Sequence, residues 1–238
     1  DEVTLRQVAM TSMTGKGVES VKEKFAEIVV NSVKQIEDAG RANLDHIKIE
    51  KLKGEGIKDT ELVSGIVLDV EKINMDMPSK IESAKIALLD FPLELKNPEI
   101  ETKISVSTPE QLQSFVESEE QELKKMIEKV KLSGANVIFC QKGIDDIAQY
   151  YLTKANIYAC RRVGKGDMEK LAMATGGRII SNLNDISNED FGSAKSVEEI
   201  VDNAKSMTYV RGCINPKAIT IIIRGGSDHV LDETERAM

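Results

Sequence analysis

The stretch GANVIFCQKGIDDIAQYYLTKANIYACRRV, residues 134–163, decides the fold class of this chain. Its first part, residues 137–140, is a short apolar run of the kind found in buried strands. Apolar residues then recur at helical spacing, and residues 157–163 return to a β-rich apolar pattern. The helical positions are Ile144, Ile147, Ala148, Tyr151 and Leu152. The order strand, turn, helix, strand predicts one unit of an α/β layer.

The turn of this unit, Gln141-Lys142-Gly143, is where such units often bind a nucleotide. It has one glycine where the dinucleotide fingerprint has three. Asp145 and Asp146 follow at the helix start, where they use the positive end of the helix dipole and repel a phosphate. The turn therefore favours no cofactor. An α/β small-molecule-binding domain or enzyme that uses the turn at 141–143 stays open as an alternative.

Composition sets the class of protein. The chain has 238 residues, of which 41% are hydrophobic and 30% charged, so it can bury a core without disulfides. A net charge of −8 argues against wholesale nucleic-acid binding, and no apolar run approaches the roughly 20 residues of a membrane span. Cys140, Cys160 and Cys213 form no CxxC pair, so we expect buried thiols in a reducing compartment. The chain does not begin with Met, and we expect a fragment of something longer.

Helical and strand patterns alternate along the rest of the chain. Helices are predicted at 3–13, about 18–39, 108–132, 167–175 and from Ser227 or Asp228 onward. Strands are predicted at 46–52, 62–70, 86–95, 178–183, 207–213 and 218–224, with a polar loop and a short helix over 184–205. The fold class is α/β with α+β character, and the two helical ends share a small domain into which the middle is inserted.

The helix over 108–132 divides into two halves. It starts at a capping box, Thr108-Pro109-Glu110-Gln111, and has two apolar groups on one face. Glu119 and Glu120 lie between those groups on the same face, and carboxylates are rare on a buried stripe. We therefore expect the second half to pack on the body and the first half to stand away from it. The first-half residues Leu112, Phe115 and Val116 would then be exposed or covered by a partner or loop.

Enzyme motifs are weak throughout. Thr14-Gly15-Lys16 resembles the end of a phosphate-binding loop, but Met10 and Gly17 stand where that motif needs Gly and Ser or Thr. His46 and His229 have no metal-ligand spacing with each other or with a cysteine, so no metal site is predicted. No GxSxG or Cys-His context is present. The residues give no argument for an enzyme formed by this chain alone.

The outer face of the helix at 144–154 is a candidate binding surface. Opposite the predicted buried stripe lie Asp145, Asp146, Gln149, Tyr150 and Thr153. Tyr150 is a large ring on a polar face, and tyrosine is common at protein interfaces. The alternatives are a contact surface or a ring covered by a neighbouring loop.

Several long segments resemble the group II chaperonins, the family of the archaeal thermosome and its eukaryotic cytosolic counterpart. They are VAMTSMTGK, LVSGIVLDVEKINMDMPSKIESAKIALLDFPLELK, FCQKGIDDIAQYYLTKANIYACRRVGKGDMEKLAMATGGRII and GCINPKAITIIIRGGSDHVLDETERAM. The resemblance covers nearly the whole chain in order and spacing, and it points to an archaeal source. SVEEIVDNAKSMTYVRGC departs from the family pattern, which leaves the boundary near residue 205 open.

The resemblance implies a division into domains. Residues 1–58 and 215–238 would be the two halves of an intermediate domain, the second one truncated, and residues 59–214 an apical client-binding domain. A helical protrusion at about 97–121 would form a built-in lid, with Leu112, Phe115 and Val116 as lid contacts. The equatorial ATPase domain would be absent.

The resemblance also implies a function: capture of unfolded protein for an ATP-driven double ring. Clients would lie on Asp146, Gln149, Tyr150, Thr153 and Lys154, beside the helix at 121–132. Lys16 corresponds to a lysine that senses the γ-phosphate of ATP. ATP and Mg belong to the full-length family, and we expect no cofactor and no hydrolysis in this chain. Unfolded proteins and sister subunits are the expected partners, without nucleic acid or membrane, in the cytoplasm.

Overall fold

The computed structural model describes residues 1–94, 109–182, 186–202, 205–214 and 216–238, except the side chains of Gln111, Leu112 and Phe115. It contains a small sheet formed from both ends of the chain and a large sheet formed from the middle. The predicted mixed α/β class is confirmed.

The small sheet has three strands in the order β1-β10-β2. They are β1 (Ile47–Lys53), β10 (Ile219–Gly225) and β2 (Glu61–Val63); β10 is parallel to β1 and antiparallel to β2. Helices α1 (Glu2–Met13), α2 (Lys22–Ile36) and α6 (Asp228–Ala237) accompany this sheet. Phe25, Ile28, Ile221, Ile223 and Leu231 share its core, which joins residues far apart in sequence. The two ends of the chain therefore form one packed body.

The large sheet is mixed. Its order is β3-β9-β8-β4-β5-β6, and β7 also pairs with β4. Its strands are β3 (Gly65–Leu68), β4 (Lys80–Leu89), β5 (Val137–Cys140), β6 (Tyr158–Cys160), β7 (Ile179–Ile180), β8 (Gly192–Asp202) and β9 (Lys205–Arg211). The pairs β4–β5, β5–β6 and β4–β7 are parallel, and β3, β8 and β9 pair antiparallel.

Helices cover both faces of the large sheet. Ile86 and Leu88 point into one core, which contains residues of α5 (Lys165–Thr175), whereas Ala87 and Leu89 point into the other. This second core contains residues of α3 (Pro109–Leu132) and α4 (Asp146–Lys154). The alternation follows from the two-residue period of a strand. Because both faces are covered, the quoted stretch at 134–163 has fully buried strands on either side of α4.

The two sheets meet at a junction of apolar and polar groups. The apolar part comprises Leu52, Val63, Val67, Met207, Tyr209 and Ile222. The amide of Val67 in β3 donates to the hydroxyl of Thr220 in β10 at 3.0 Å, in a buried position. Nearby, Arg224 contacts the carboxylates of Asp202 and Glu55. The chain thus leaves the small sheet after β2 and returns to it with β10.

Three predicted elements are corrected. The prediction that 184–205 holds only a loop and a short helix is wrong, since half of this segment is the eleven-residue strand β8, preceded by a single helical turn at Asn188–Asp190. Strand pairing on both sides of β8 outweighs its polar sequence. The strand predicted at 62–70 is two strands in different sheets, and the strand predicted at 86–95 runs instead from Lys80 to Leu89.

Helix α3 has the predicted length and a divided environment. It runs for 24 residues, or roughly 36 Å at 1.5 Å per residue. Leu123, Ile127 and Val130 of its second half are buried in the core, whereas Val116 of the first half is 46% exposed. The prediction that the second half packs on the body is confirmed. The side chains of Leu112 and Phe115 lie outside the described residues, as do residues 97–108 of the segment expected to be the protrusion.

Candidate functional site

Helix α4 is held on the sheet by its apolar side. Ala148 and Leu152 are fully buried, and Ile147 and Tyr151 pack partly against the same core. Ile144, just before the helix, is also buried. This orientation leaves Asp146, Tyr150 and Lys154, at four-residue intervals, as an exposed stripe along the helix. The predicted buried side of the helix is confirmed.

Gln149 does not lie on the outer face, and the prediction that it does is wrong. Its side chain is 8% exposed. The amide nitrogen donates to the carbonyl of Ile144 at 3.2 Å and to Oδ1 of Asp146 at 3.1 Å. Because these local acceptors satisfy the amide, the polar side chain can be buried beside the helix start. Gln149 therefore lies beneath the exposed stripe and not on it.

Tyr150 is the large side chain that the outer stripe exposes. It is 59% exposed, so no loop of the described chain covers its ring completely. The ammonium of Lys154 lies 5.9 Å from the centre of the Tyr150 ring, and the Tyr151 ring meets it edge-on at 5.4 Å. Thr153 is half-buried, and its hydroxyl donates to the carbonyl of Gln149 at 2.8 Å. The ring is thus supported on a fixed helix and open to solvent.

The seam between α3 and α4 extends this surface. The hydroxyl of Tyr151 lies 3.4 Å from the carboxylate of Glu120, and the ammonium of Lys124 lies 5.8 Å from the Tyr151 ring centre. The sequence pattern did not indicate Tyr151 as a surface group. The helical period of the apolar residues assigned Tyr151 to the core, and it is in fact half-buried with its polar end at the seam.

A side chain of the protein fills the space beside the turn at 141–143. A Cβ added to Gly143 would lie 1.6 Å from a carboxylate oxygen of Glu94, so that side chain fills the space beside the turn. Leu93 and Asp145 also tie the turn to the preceding loop by backbone hydrogen bonds. A carboxylate at this position excludes a phosphate both by volume and by charge. The geometry therefore does not favour the alternative of a nucleotide-binding turn.

Lys16 lies at a second location, far along the chain from α4. It is exposed, and it lines a shallow groove with Gly15 of its own loop and with His229, Glu233 and Arg236 of α6. A Cβ at Gly17 would lie 2.7 Å from Glu233, which shows how closely this loop approaches α6. The structure thus brings Lys16 beside α6, the helix to which the LDETERAM segment belongs.

The three thiols are buried and free, as predicted. Burial raises the pKa of Cys140 and Cys213 to about 11 and that of Cys160 to about 12. They therefore stay protonated near neutral pH and act as small apolar side chains. Within the described ranges, no group of three or more His, Cys, Asp or Glu side chains is arranged to hold a metal ion. None of the helices in this part of the chain is long and apolar enough to cross a membrane.

Comparison with known proteins decides the family. Residues 1–238 match the model of the TCP-1/cpn60 chaperonin family. The chain belongs to this family. It is 53% identical to a thermosome subunit of Methanopyrus kandleri and 52% identical to a thermosome beta subunit of Archaeoglobus fulgidus. In both cases the match covers 100% of this chain and 44% of the relative.

A solved chaperonin has the same fold. The open-state monomer of a group II chaperonin from Methanococcoides burtonii matches with a TM-score of 0.77 and 43% identity, over 100% of this chain and 54% of that one. The predicted resemblance to group II chaperonins is confirmed. The chain spans less than half the length of the thermosome subunits named above. Which residues of this chaperonin chain contact a client stays a prediction.

Proposed function

We propose that this chain is the client-capturing part of an archaeal group II chaperonin. It would bind unfolded or partly folded protein on the surface formed by α4 and the second half of α3. The equatorial domain of the full-length subunit would bind ATP, and sister subunits would complete a double ring. The observation that carries the proposal is the exposed ring of Tyr150 on a helix whose other side is locked into the sheet.

The proposal uses the domain division that the resemblance implied. Residues 1–58 and 215–238 would form the intermediate domain around the small sheet, and residues 59–214 the apical domain around the large sheet. Strand β2 at Glu61–Val63 pairs with β10, so the small sheet continues slightly beyond residue 58. The junction at Val67, Thr220 and Arg224 would then couple the two domains.

The binding surface suits many clients. It combines an exposed ring, half-buried apolar flanks and exposed charged side chains. A surface of this kind binds extended segments weakly, since no single shape selects the partner. Asp146, Tyr150, Thr153 and Lys154 remain the proposed contacts, with Gln149 as a supporting residue. Lys124 and Tyr151 are added from the seam.

The first half of α3 would serve the lid. Val116 is exposed on the part of the helix that extends beyond the core residues Leu123 and Ile127. We propose that Val116, together with Leu112 and Phe115, contacts the corresponding segment of a sister subunit in the closed ring. An apolar group on an exposed helix is suited to such a contact because it buries apolar area only on assembly.

ATP would act elsewhere in the whole protein. The resemblance places the glycine-rich phosphate motif, the metal-binding aspartate and the general-base aspartate outside the matched segments, and Lys16 would sense the γ-phosphate from its place beside α6. We propose that the chain alone does not hydrolyse ATP. Measurable turnover by the purified chain would contradict this. A cytoplasmic location also remains a prediction from the resemblance.

The test of client capture compares two exposed side chains. Tyr150→Ala removes the ring from α4, and Val201→Ala removes an apolar group that is 66% exposed at the far end of β8. We expect Tyr150→Ala to weaken suppression of aggregation when a denatured test protein is diluted into the purified chain, and Val201→Ala to leave it unchanged. Circular dichroism should show that both variants keep the thermal midpoint of the parent. Unchanged capture by Tyr150→Ala would contradict the proposal.

A further inference from the structure

One face of the small sheet is turned toward the large sheet, and it has a cation near each end. Its side chains are Lys48, Glu50 and Leu52 of β1 and, paired with them in this order, Thr220, Ile222 and Arg224 of β10. The alternating residues Ile221 and Ile223 point into the core on the other side of the sheet. Leu52 and Ile222 belong to the apolar cluster at the junction with the large sheet. The register separates the two cations by four residues along the strands, or roughly 13 Å.

Lys48 is shared between the two sheets. Its ammonium lies 2.7 Å from the carboxylate of Asp167, which belongs to α5 on the large sheet, and 3.0 Å from that of Glu50 in its own strand. The Lys48 side chain is 13% exposed, so both pairs are largely shielded from solvent. One cation therefore has one carboxylate from each sheet.

Arg224 repeats this arrangement at the other end of the face. Its guanidinium contacts the carboxylate of Asp202, the last residue of β8 in the large sheet. Its Nε also lies 3.3 Å from the carboxylate of Glu55, in the loop that follows β1. The Arg224 side chain is 11% exposed. Both cations of the face thus have a partner that would leave with the large sheet and a partner that would stay.

These second partners lower the cost of separating the two sheets. A buried cation that loses its only carboxylate leaves an uncompensated charge, which is strongly unfavourable. If the large sheet moved off this face, Lys48 would keep Glu50 and Arg224 would keep Glu55. Separation would also relieve the repulsion between the two carboxylates that share each cation. The charges therefore permit separation, while the apolar cluster between them favours contact.

We propose that this face is a reversible latch between the two sheets. In the closed arrangement, the apolar cluster and the two shared cations hold the large sheet in one orientation. On opening, Asp167 and Asp202 leave with the large sheet, and both cations stay paired on the small sheet. Because α4 packs on the large sheet, its exposed stripe would move with that sheet.

The amide of Val67 reports directly on this latch. It is buried, and its acceptor at 3.0 Å is the hydroxyl of Thr220 in the other sheet, so its exchange with solvent requires the sheets to separate. The amide of Tyr158 is the matched control, because it donates to the carbonyl of Asn136 at 3.0 Å within the large-sheet region. Hydrogen exchange of the 238-residue chain, followed by NMR, measures both rates in one sample.

Variants of the two partners of Arg224 should change the Val67 rate in opposite directions. Asp202→Asn weakens a charge-assisted hydrogen bond that exists only in the closed latch, and it should speed exchange about 10-fold. Glu55→Gln removes the partner that stays with Arg224 on opening and should slow exchange, since the carboxylate repulsion in the closed latch is lost. Asp167→Asn at the other end should act like Asp202→Asn.

The Tyr158 amide should keep its rate in every variant. Equal acceleration of Val67 and Tyr158 would overturn the inference, because the sheets would then separate only by unfolding. An unchanged Val67 rate in Asp202→Asn would overturn it too, as would acceleration by Glu55→Gln. The parent chain supplies a test without a variant: added sodium chloride should speed Val67 exchange relative to Tyr158 about 3-fold by screening the pairs. A ratio that does not respond to salt would contradict the latch.

Discussion

The phenol oxygen of Tyr158 lies 2.7 Å from the hydroxyl oxygen of Thr208 in the core of the large sheet, where neither side chain is exposed to solvent. The hydroxyl of Thr208 donates its single proton to the carbonyl of Val70 at 2.8 Å. Tyr158 must therefore be the donor to Thr208. Burial raises the pKa of Tyr158, which keeps that donor protonated.

This chain of hydrogen bonds predicts unequal costs for its two members. Thr208→Val leaves the Tyr158 hydroxyl and the Val70 carbonyl without their partner, and it should lower the free energy of unfolding by about 2–4 kcal/mol. Tyr158→Phe keeps the bond from Thr208 to Val70 and should cost about 1 kcal/mol. Urea unfolding of both variants measures the difference. Equal costs would show that the donor order is wrong.

The three buried thiols predict a loss of stability in alkali. Their pKa values in the folded chain, about 11 to 12, lie above the ordinary value of 9.0. The unfolded chain therefore releases these protons first as pH rises, so the stabilisation present below pH 9 is lost between about pH 9 and pH 12. Cys160→Ala should make the decline in unfolding free energy over this range shallower.

Urea titrations of the parent chain and of Cys160→Ala at a series of pH values would measure these slopes. A thiol reagent supplies an independent check: at pH 8 it should react slowly with the folded chain and rapidly after denaturation. Fast modification of the folded chain would contradict the inert state assigned to these cysteines.

Two glycines should respond to alanine in opposite directions. Gly65 has a φ of 153°, and a Cβ there would lie 1.9 Å from the carbonyl oxygen of Val210 in β9. Gly65→Ala should therefore cost at least about 2 kcal/mol and loosen the pairing of β3 with β9. Gly166 in α5 has open space at its Cβ position, and Gly166→Ala should stabilise the chain by about 0.5 kcal/mol. Thermal unfolding of both variants tests the pair, and a neutral Gly65→Ala would refute the clash.

The two halves of α3 predict a similar contrast. Val116→Asp changes an exposed residue and should alter the unfolding free energy by no more than about 0.5 kcal/mol. Leu123→Asp puts a carboxylate into a site that is 1% exposed and should cost at least about 4 kcal/mol or prevent folding. Circular dichroism melts compare them. A cooperative loss of structure in Val116→Asp would show that the first half of α3 belongs to the core.

Local patterns predicted helices better than strands. The bounds of α3 agree with the predicted 108–132 because residues close together in sequence determine both the apolar period of a helix and its ends. Strand β8 was missed because its identity depends on partners more distant in sequence: Ile81 and Val197 pair across β4 and β8. The run at 62–70 is mainly apolar, yet Val63 and Gly65 belong to different sheets. Nothing local marks such a change of sheet except the glycine.

The candidate site was predictable to the same extent. Helical spacing predicted that Tyr150 faces solvent and that Leu152 faces the core, and the structure has Tyr150 exposed and Leu152 buried. It also placed Gln149 outward, because polarity was taken as exposure. The side chain is buried because two nearby acceptors satisfy its amide. The residue type alone does not indicate that these hydrogen bonds form. The contact of Lys124 with Tyr151 joins two helices and needed the fold itself.

Gly65 and Arg211 are paired residues of the neighbouring strands β3 and β9. The chain segment that forms the large sheet therefore has its first and last residues side by side. A short turn could therefore join residue 211 to residue 65. New termini could then be placed in another loop of this segment by circular permutation. Detaching it would expose Val67, Met207 and Tyr209, which now pack against the small sheet. With those three positions made polar, we expect residues 65–211 to be suited to insertion as a domain into another protein.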